Sequence, residues 1–124
     1  GALAPIADLN KLDVYRLSRL VNDRAEAEII PDSILTKKPS AELRDAQYDP
    51  FDYDVVSPLV EAILERRANR TSLISEGYDP ELVDKMTRMI YRAEYKRRQA
   101  PPALKVSEKA FGIGRRMPIV NHFP

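Results

Sequence analysis

Three short segments concentrate the residue types that could handle an anionic, phosphate-bearing substrate. The first, Glu94-Tyr95-Lys96-Arg97-Arg98-Gln99-Ala100-Pro101-Pro102, sets a run of cations where a predicted helix is stopped by two prolines. The second, Lys37-Lys38-Pro39-Ser40-Ala41-Glu42-Leu43, joins two cations to a hydroxyl in a predicted loop. A lysine is a mobile point charge that suits a phosphate, and a serine hydroxyl can donate to a phosphate oxygen. The third, Pro5-Ile6-Ala7-Asp8-Leu9-Asn10-Lys11, places a lysine in the first turn of a predicted helix. The helix dipole disfavours a cation there, so an outside anion would relieve it. Each pattern also has an ordinary reading. Ser40 could cap a polar turn, the cations after Glu94 could form a solvated face at a helix C-terminus, and Lys11 could bend back into water.

Other chemistries have less support. The wider basic group Lys96, Arg97, Arg98, Lys105, Lys109, Arg115 and Arg116 could hold a carboxylate or pyrophosphate, or simply be solvated. The formal net charge is +1, so the chain is no polycation, and neither nucleic acid nor membrane is an expected partner. There is no cysteine, which removes disulfides, thiolate metal sites and a cysteine nucleophile, and fits a cytoplasmic protein. His122 is the sole histidine and falls in an irregular tail, so no metal cluster or Ser-His-Asp arrangement is expected. Gly112-Ile113-Gly114 lacks the third glycine of a dinucleotide fingerprint.

The elements that must position these residues read as helices. Apolar residues make up 44% of the 124, enough for one core, and no apolar run is long enough to span a bilayer. Asn10 caps a helix predicted over about 11–23, with Val14, Leu17, Leu20 and Val21 at helical spacing. A short helix is predicted over about 32–36, capped by Asp32. Residues 37–54 read as a long loop. Ser57-Pro58 reads as a cap and first turn, opening a helix over about 58–68. A helix over about 71–76 ends at Gly77, and Asp79-Pro80 opens another over about 80–98. Met86 and Met89 are expected in the core. The tail from 103 is expected to be irregular, held by Val106, Phe111, Ile113 and Ile119. Strand alternation is missing, so the fold class expected of this piece alone is mainly α.

In this order, the three motifs resemble the C-terminal part of glutamine-dependent NAD synthetases. The tail from Leu104-Lys105-Val106-Ser107 through Phe111-Gly112 to Arg115-Arg116-Met117-Pro118-Ile119 is similar too. The resemblance implies one incomplete domain, residues 1–124, from the helical C-terminal part of a Rossmann-like α/β synthetase of the ATP-pyrophosphatase class. Such an enzyme uses ATP to adenylate deamido-NAD, then ammonia to displace AMP and give NAD. It implies Mg2+ as a cofactor and an upstream amidase domain that releases ammonia from glutamine. The start, Gly1-Ala2-Leu3-Ala4-Pro5 without an initiator methionine, adds the expectation of a chain cut from a longer one.

By that resemblance, Lys11 and Ser40 contact ATP phosphates, and Lys96, with Tyr95 beside it, contacts deamido-NAD. Charge and position add Lys38 and Arg97 as supporting contacts, and the 37–54 loop is expected to be a flap ordered by substrate. The family's Ser-Gly-Gly-x-Asp-Ser pyrophosphate loop does not occur here, nor do its magnesium-binding acidic residues, so the piece alone is expected to be inactive. Ala2 falls where some ammonia-dependent relatives carry an acidic substrate contact, and Asp49-Pro50-Phe51-Asp52-Tyr53 departs from the acidic loop common in many relatives. Apolar faces left uncovered imply self-association into a homo-oligomer. The competing reading is a non-catalytic helical module that binds an acidic partner through residues 96–116.

Overall fold

A computed structural model describes residues 2–41, 43–112 and 114–119. Its helices are α1 (Lys11–Ala25), α2 (Asp32–Thr36), α3 (Tyr53–Leu64), α4 (Arg70–Ser75), α5 (Pro80–Arg92) and α6 (Glu94–Gln99). Among the described residues there is no strand, only a single parallel bridge between Ala4 and Ala103. The chain is mainly helical, as its patterning predicts. No helix among these residues is long and apolar enough to cross a membrane.

The core lies where α3, α4 and α5 meet. Val56, Leu59 and Ala62 of α3, Leu73 of α4, and Val83 and Met86 of α5 are buried, with Phe51, Val60, Tyr78 and Leu82 packed around them. Met89, expected beside Met86, is instead 45% exposed. Helix α1 contributes no buried residue, and its Leu17, Leu20 and Val21 remain exposed.

Local chemistry explains most boundaries. The Asn10 side chain accepts from the Asp13 amide at 3.0 Å and starts α1. Its far end is pinned by Asn22, whose side-chain amide donates to the Ile30 carbonyl and accepts from the Ile30 amide, both at 2.8 Å. Asp79 accepts from the Leu82 amide at 2.8 Å, with Pro80 opening α5. At Gly77, φ of 98° lets the chain leave α4 in a conformation glycine adopts freely.

Three boundaries depart from expectation. Helix α3 starts at Tyr53 rather than near Pro58, with Asp52 accepting from the Asp54 amide at 3.0 Å. Tertiary contacts move the start: Phe51 packs on the core, and the Tyr53 hydroxyl donates to Asp49 at 2.7 Å. Pro58 is therefore carried inside the helix. Asp32 does not cap α2; its amide donates to the Glu28 carboxylate at 2.6 Å. The helix predicted over 80–98 breaks at Ala93, with φ −84° and ψ 0°, which turns α6 so that both Glu94 and Arg97 are buried.

Deleting the Leu59 side chain beyond Cβ leaves a cavity in a fully buried site and should cost about 2–5 kcal/mol. Leu17→Ala, on the uncovered face of α1, should change stability by less than about 0.5 kcal/mol. Urea unfolding of the two variants tests this; equal losses would mean that α1 is packed as tightly as α3.

Candidate functional site

The basic motif of α6 is organised by a buried carboxylate. Glu94 is 1% exposed and Arg97 8%. Arg97 donates to Glu94 Oε2 from Nη2 at 2.6 Å and from Nε at 3.1 Å, while Arg98 Nε donates to Glu94 Oε1 at 3.2 Å. This is the i, i+3, i+4 spacing at which helical side chains meet. Burial pushes the Glu94 carboxyl up, but the bonds from Arg97, Arg98 and the Met117 backbone outweigh it and hold it below its ordinary 4.5. With Glu94 and Arg97 turned inward, Tyr95 and Lys96 stand exposed on the other side of the helix. The Lys96 ammonium lies 6.0 Å from the centroid of the Tyr95 ring.

Arg97, expected from the sequence as a supporting ligand contact, is placed differently. Its guanidinium faces Glu94 and also donates to the Ile90 carbonyl at 3.4 Å. It holds α6 in place while Lys96 keeps a clear path to solvent.

Lys11 begins α1 on the surface, its ammonium 5.3 Å from the Tyr15 ring centroid. The Ser40 hydroxyl donates to the Gln47 carbonyl, and the Asp49 amide donates to Pro39 O at 2.8 Å. These bonds fold the 39–49 loop back on itself, and Lys38 lies over Tyr48 at 5.6 Å. The far end of the segment expected as a flap, Phe51 to Asp54, is instead helix start and core. Lys11, Ser40, Tyr95 and Lys96 line none of the four prominent clefts among the described residues. Lys11, Tyr95 and Lys96 are exposed and Ser40 is half-buried, and the four lie on three separate elements.

Two carboxylates that sequence reasoning assigned no role organise the rest. Asp8 Oδ2 accepts from the amides of Val106 and Ser107, both at 2.7 Å, and Oδ1 accepts from the Phe111 amide at 2.5 Å and the Ser107 hydroxyl at 2.9 Å. Burial alone would raise the Asp8 carboxyl, but these bonds hold it below its ordinary 3.8. Glu65, at the end of α3, accepts from the Lys109 amide at 3.2 Å and pairs with Arg115. The Lys109 ammonium donates to the carbonyls of Leu64 and Glu65 at 2.9 and 3.2 Å. The tail is thus held by polar bonds; Val106 and Ile119, expected to anchor it, are 65% and 56% exposed. Glu42, Ile113 and His122 lie outside the described residues.

No group of three or more His, Cys, Asp or Glu side chains among the described residues could hold a metal ion. The basic segment is also largely matched from within, because Arg97, Arg98, Lys109 and Arg115 all have partners in this chain.

Comparison with known proteins places these features in a wider setting. The family model described as NAD synthase matches residues 1–100. A glutamine-dependent NAD(+) synthetase of Synechocystis sp. is 43% identical over 99% of this chain and 22% of its own length. That of Thermotoga maritima is 40% identical over 99% of this chain and 22% of its own. The chain therefore spans about a fifth of these relatives. A solved structure of the glutamine-dependent NAD+ synthetase from Acinetobacter baumannii, in complex with ADP, aligns over 92% of this chain and 20% of its own. Its TM-score is 0.53 and its sequence identity 32%.

Two outcomes follow from the buried carboxylates. Arg97→Met leaves Glu94 buried without its main partner and should cost about 3–5 kcal/mol, whereas Lys96→Ala should cost less than about 0.5. Unfolding midpoints separate the two. Asp8 and Glu94 have folded-state pKa values below their unfolded ones, so their contribution is fully present above pH 4.5 and is lost as pH falls through the lowered values. An acid titration followed by amide exchange should show residues 106–111 still protected at pH 3.8 and released below it. Release between pH 5 and 6 would contradict the role of Asp8.

Proposed function

The chain belongs to the NAD synthase family, and on that premise we propose that it is the C-terminal portion of a glutamine-dependent NAD synthetase. In this reading the enzyme transfers AMP from ATP to the nicotinate carboxylate of deamido-NAD, releasing pyrophosphate. Ammonia from glutamine then displaces AMP. Adenylation is needed because a carboxylate oxygen is a poor leaving group and AMP a good one. Cations beside the departing pyrophosphate stabilise the charge that develops there. The ADP held by the Acinetobacter baumannii relative supports a nucleotide among the ligands.

The observation that carries the proposal is the extent of the likeness: relatives named glutamine-dependent NAD(+) synthetases match 99% of this chain at up to 43% identity. The geometry is compatible with the residue roles. Lys11 is exposed at a helix start, where its ammonium can meet ATP phosphate. Ser40 stands on the folded loop, where its hydroxyl would turn from the Gln47 carbonyl to donate to a second phosphate oxygen, and Lys38 adds charge nearby. Lys96 and Tyr95 offer deamido-NAD a cation and an aromatic face. Arg97 acts one step back, by fixing α6.

The other elements of the reaction belong, in this proposal, to the remainder of a longer cytoplasmic enzyme. It supplies the Rossmann-like sheet, the pyrophosphate loop, the amidase domain and the carboxylates for Mg2+, for which the described residues offer no cluster of their own. The uncovered apolar face of α1 suits burial against that sheet or within a homo-oligomer. This chain alone would then be inactive. A second reading, a module binding an acidic partner, has one feature in its favour. Within residues 96–116, Lys109, Arg115 and Arg116 line a cleft of about 820 Å³, beside Arg67, Arg88 and an Arg70 that pairs with the single acidic residue there, Asp84.

Steady-state kinetics on the full-length enzyme distinguishes the two. A charge-assisted hydrogen bond contributes about 1.5–3 kcal/mol, so Lys96→Ala should lower kcat/KM for deamido-NAD by about 10- to 150-fold with the fold intact. Lys11→Ala and Ser40→Ala should act on ATP instead. Normal NAD formation by the triple alanine variant would sink these assignments.

A further inference from the structure

We propose that Asp8 is a positioning residue for the synthetase site, setting Lys11 in register with the tail and, through it, with α6; the idea rests on the ATP role given to Lys11 above. The physical basis is a single carboxylate shared by four donors on residues 98 to 103 positions away. Asp8 gathers the amides of Val106, Ser107 and Phe111 and the Ser107 hydroxyl, with donor–acceptor distances of 2.5–2.9 Å. Both oxygens are used. A carboxylate bonded this way is an acceptor in every direction, so it defines the path of the tail around it.

The placement of Asp8 makes this more than a tail anchor. It lies three residues before Lys11, and the intervening Asn10 caps α1 by accepting from Asp13. Fixing Asp8 therefore fixes where α1 begins and where the Lys11 side chain departs. Four residues earlier, the Ala4 amide donates to Pro102 O at 2.9 Å, just beyond the end of α6. That bond belongs to the parallel Ala4–Ala103 bridge. The segment 4–8 is thus stitched twice to the segment 102–111, with Lys11 at one exit and α6, bearing Lys96, at the other. No buried residue of α1 could do this by packing, because α1 has none. Helix α6 is separately held by Glu94 and Arg97, so loosening Asp8 should displace Lys11 far more than Lys96.

The consequence is selective. Asp8→Asn keeps the size of the side chain but turns one acceptor into a donor facing donors. In the full-length enzyme, amide exchange over residues 106–111 should accelerate, and KM for ATP should rise about tenfold. KM for deamido-NAD and kcat should stay within about twofold, with an unchanged circular dichroism spectrum. Asp8→Ala, which removes the acceptor altogether, should show the same split. Lys11→Ala is the control for the site itself. If Lys11→Ala raises KM for ATP and Asp8→Asn does not, despite faster exchange, Asp8 holds only the tail and the proposal is overturned alone. Unchanged exchange in Asp8→Asn overturns it as well. If Lys11→Ala leaves KM for ATP unchanged, the site reading fails and takes this inference with it.

Discussion

The carboxylate of Asp8 is the constraint on which the arrangement of this chain depends. Among the described residues only six apolar side chains are buried, all of them in α3, α4 and α5. That core explains how three helices pack, but it reaches neither the segment before α1 nor the tail after α6. Those two stretches meet through hydrogen bonds, and a charged acceptor collects such bonds at shorter range than a neutral one. Asp8 is already flanked by structure on both sides, the Ala4 bridge before it and the Asn10 cap after it. One side chain can therefore transmit order from the tail into the start of a helix.

Glu94 applies the same logic inside the helical layer. A buried carboxylate is costly unless paired and hydrogen-bonded. Arg97 and Arg98 supply that pairing at helical spacing, and the pairing sorts the motif into two faces. The inward face is structural. The outward face, with Tyr95 and Lys96, is left unconstrained by it. A cluster of five polar residues thus divides its roles by periodicity: residues separated by three or four positions stabilise one another, while those between them turn to solvent. Glu65 extends the pattern, receiving Lys109 and Arg115 where α3 ends.

Much of this was legible in the residues. The caps Asn10 and Asp79, the stop near Gly77 and the helical stripes announce helices because each is a local matter of backbone bonding and periodicity. The sequence also brought forward Lys11, Ser40 and Lys96, through motif likeness rather than through geometry. What it concealed was long-range. Nothing local at Asp8 signals partners at 106–111, since an isolated aspartate before a helix reads as an exposed charge or a spare cap. Charge and position likewise suggested Arg97 as a supporting ligand contact, because the burial that turns its guanidinium to Glu94 depends on the break at Ala93. The early start of α3 was hidden for the same reason: Pro58 is a strong local signal for a first turn, and the packing of Phe51 overrides it.

The uncovered parts of the molecule follow a single physical pattern. An amphipathic helix with Leu17, Leu20 and Val21 exposed has a stripe that water solvates poorly, and helices of this kind normally bury it. The same helix presents Lys11 at its first residue, where the dipole disfavours a cation and an anion would offset it. An apolar side left exposed and a cation with no ion-pair partner among the described residues therefore lie on one element. Each is unfavourable in the chain as it stands, and each is relieved by a different addition: apolar surface along the body of α1, phosphate at its start. Both additions belong to the proposed full-length enzyme, since this chain spans about a fifth of its relatives' length. Covering α1 would also hold it rigidly and reduce the entropy that a phosphate must overcome to order Lys11. The surface that completes the fold would thereby strengthen the binding of the ligand, and the Asp8 contact would carry that rigidity across to the tail and α6.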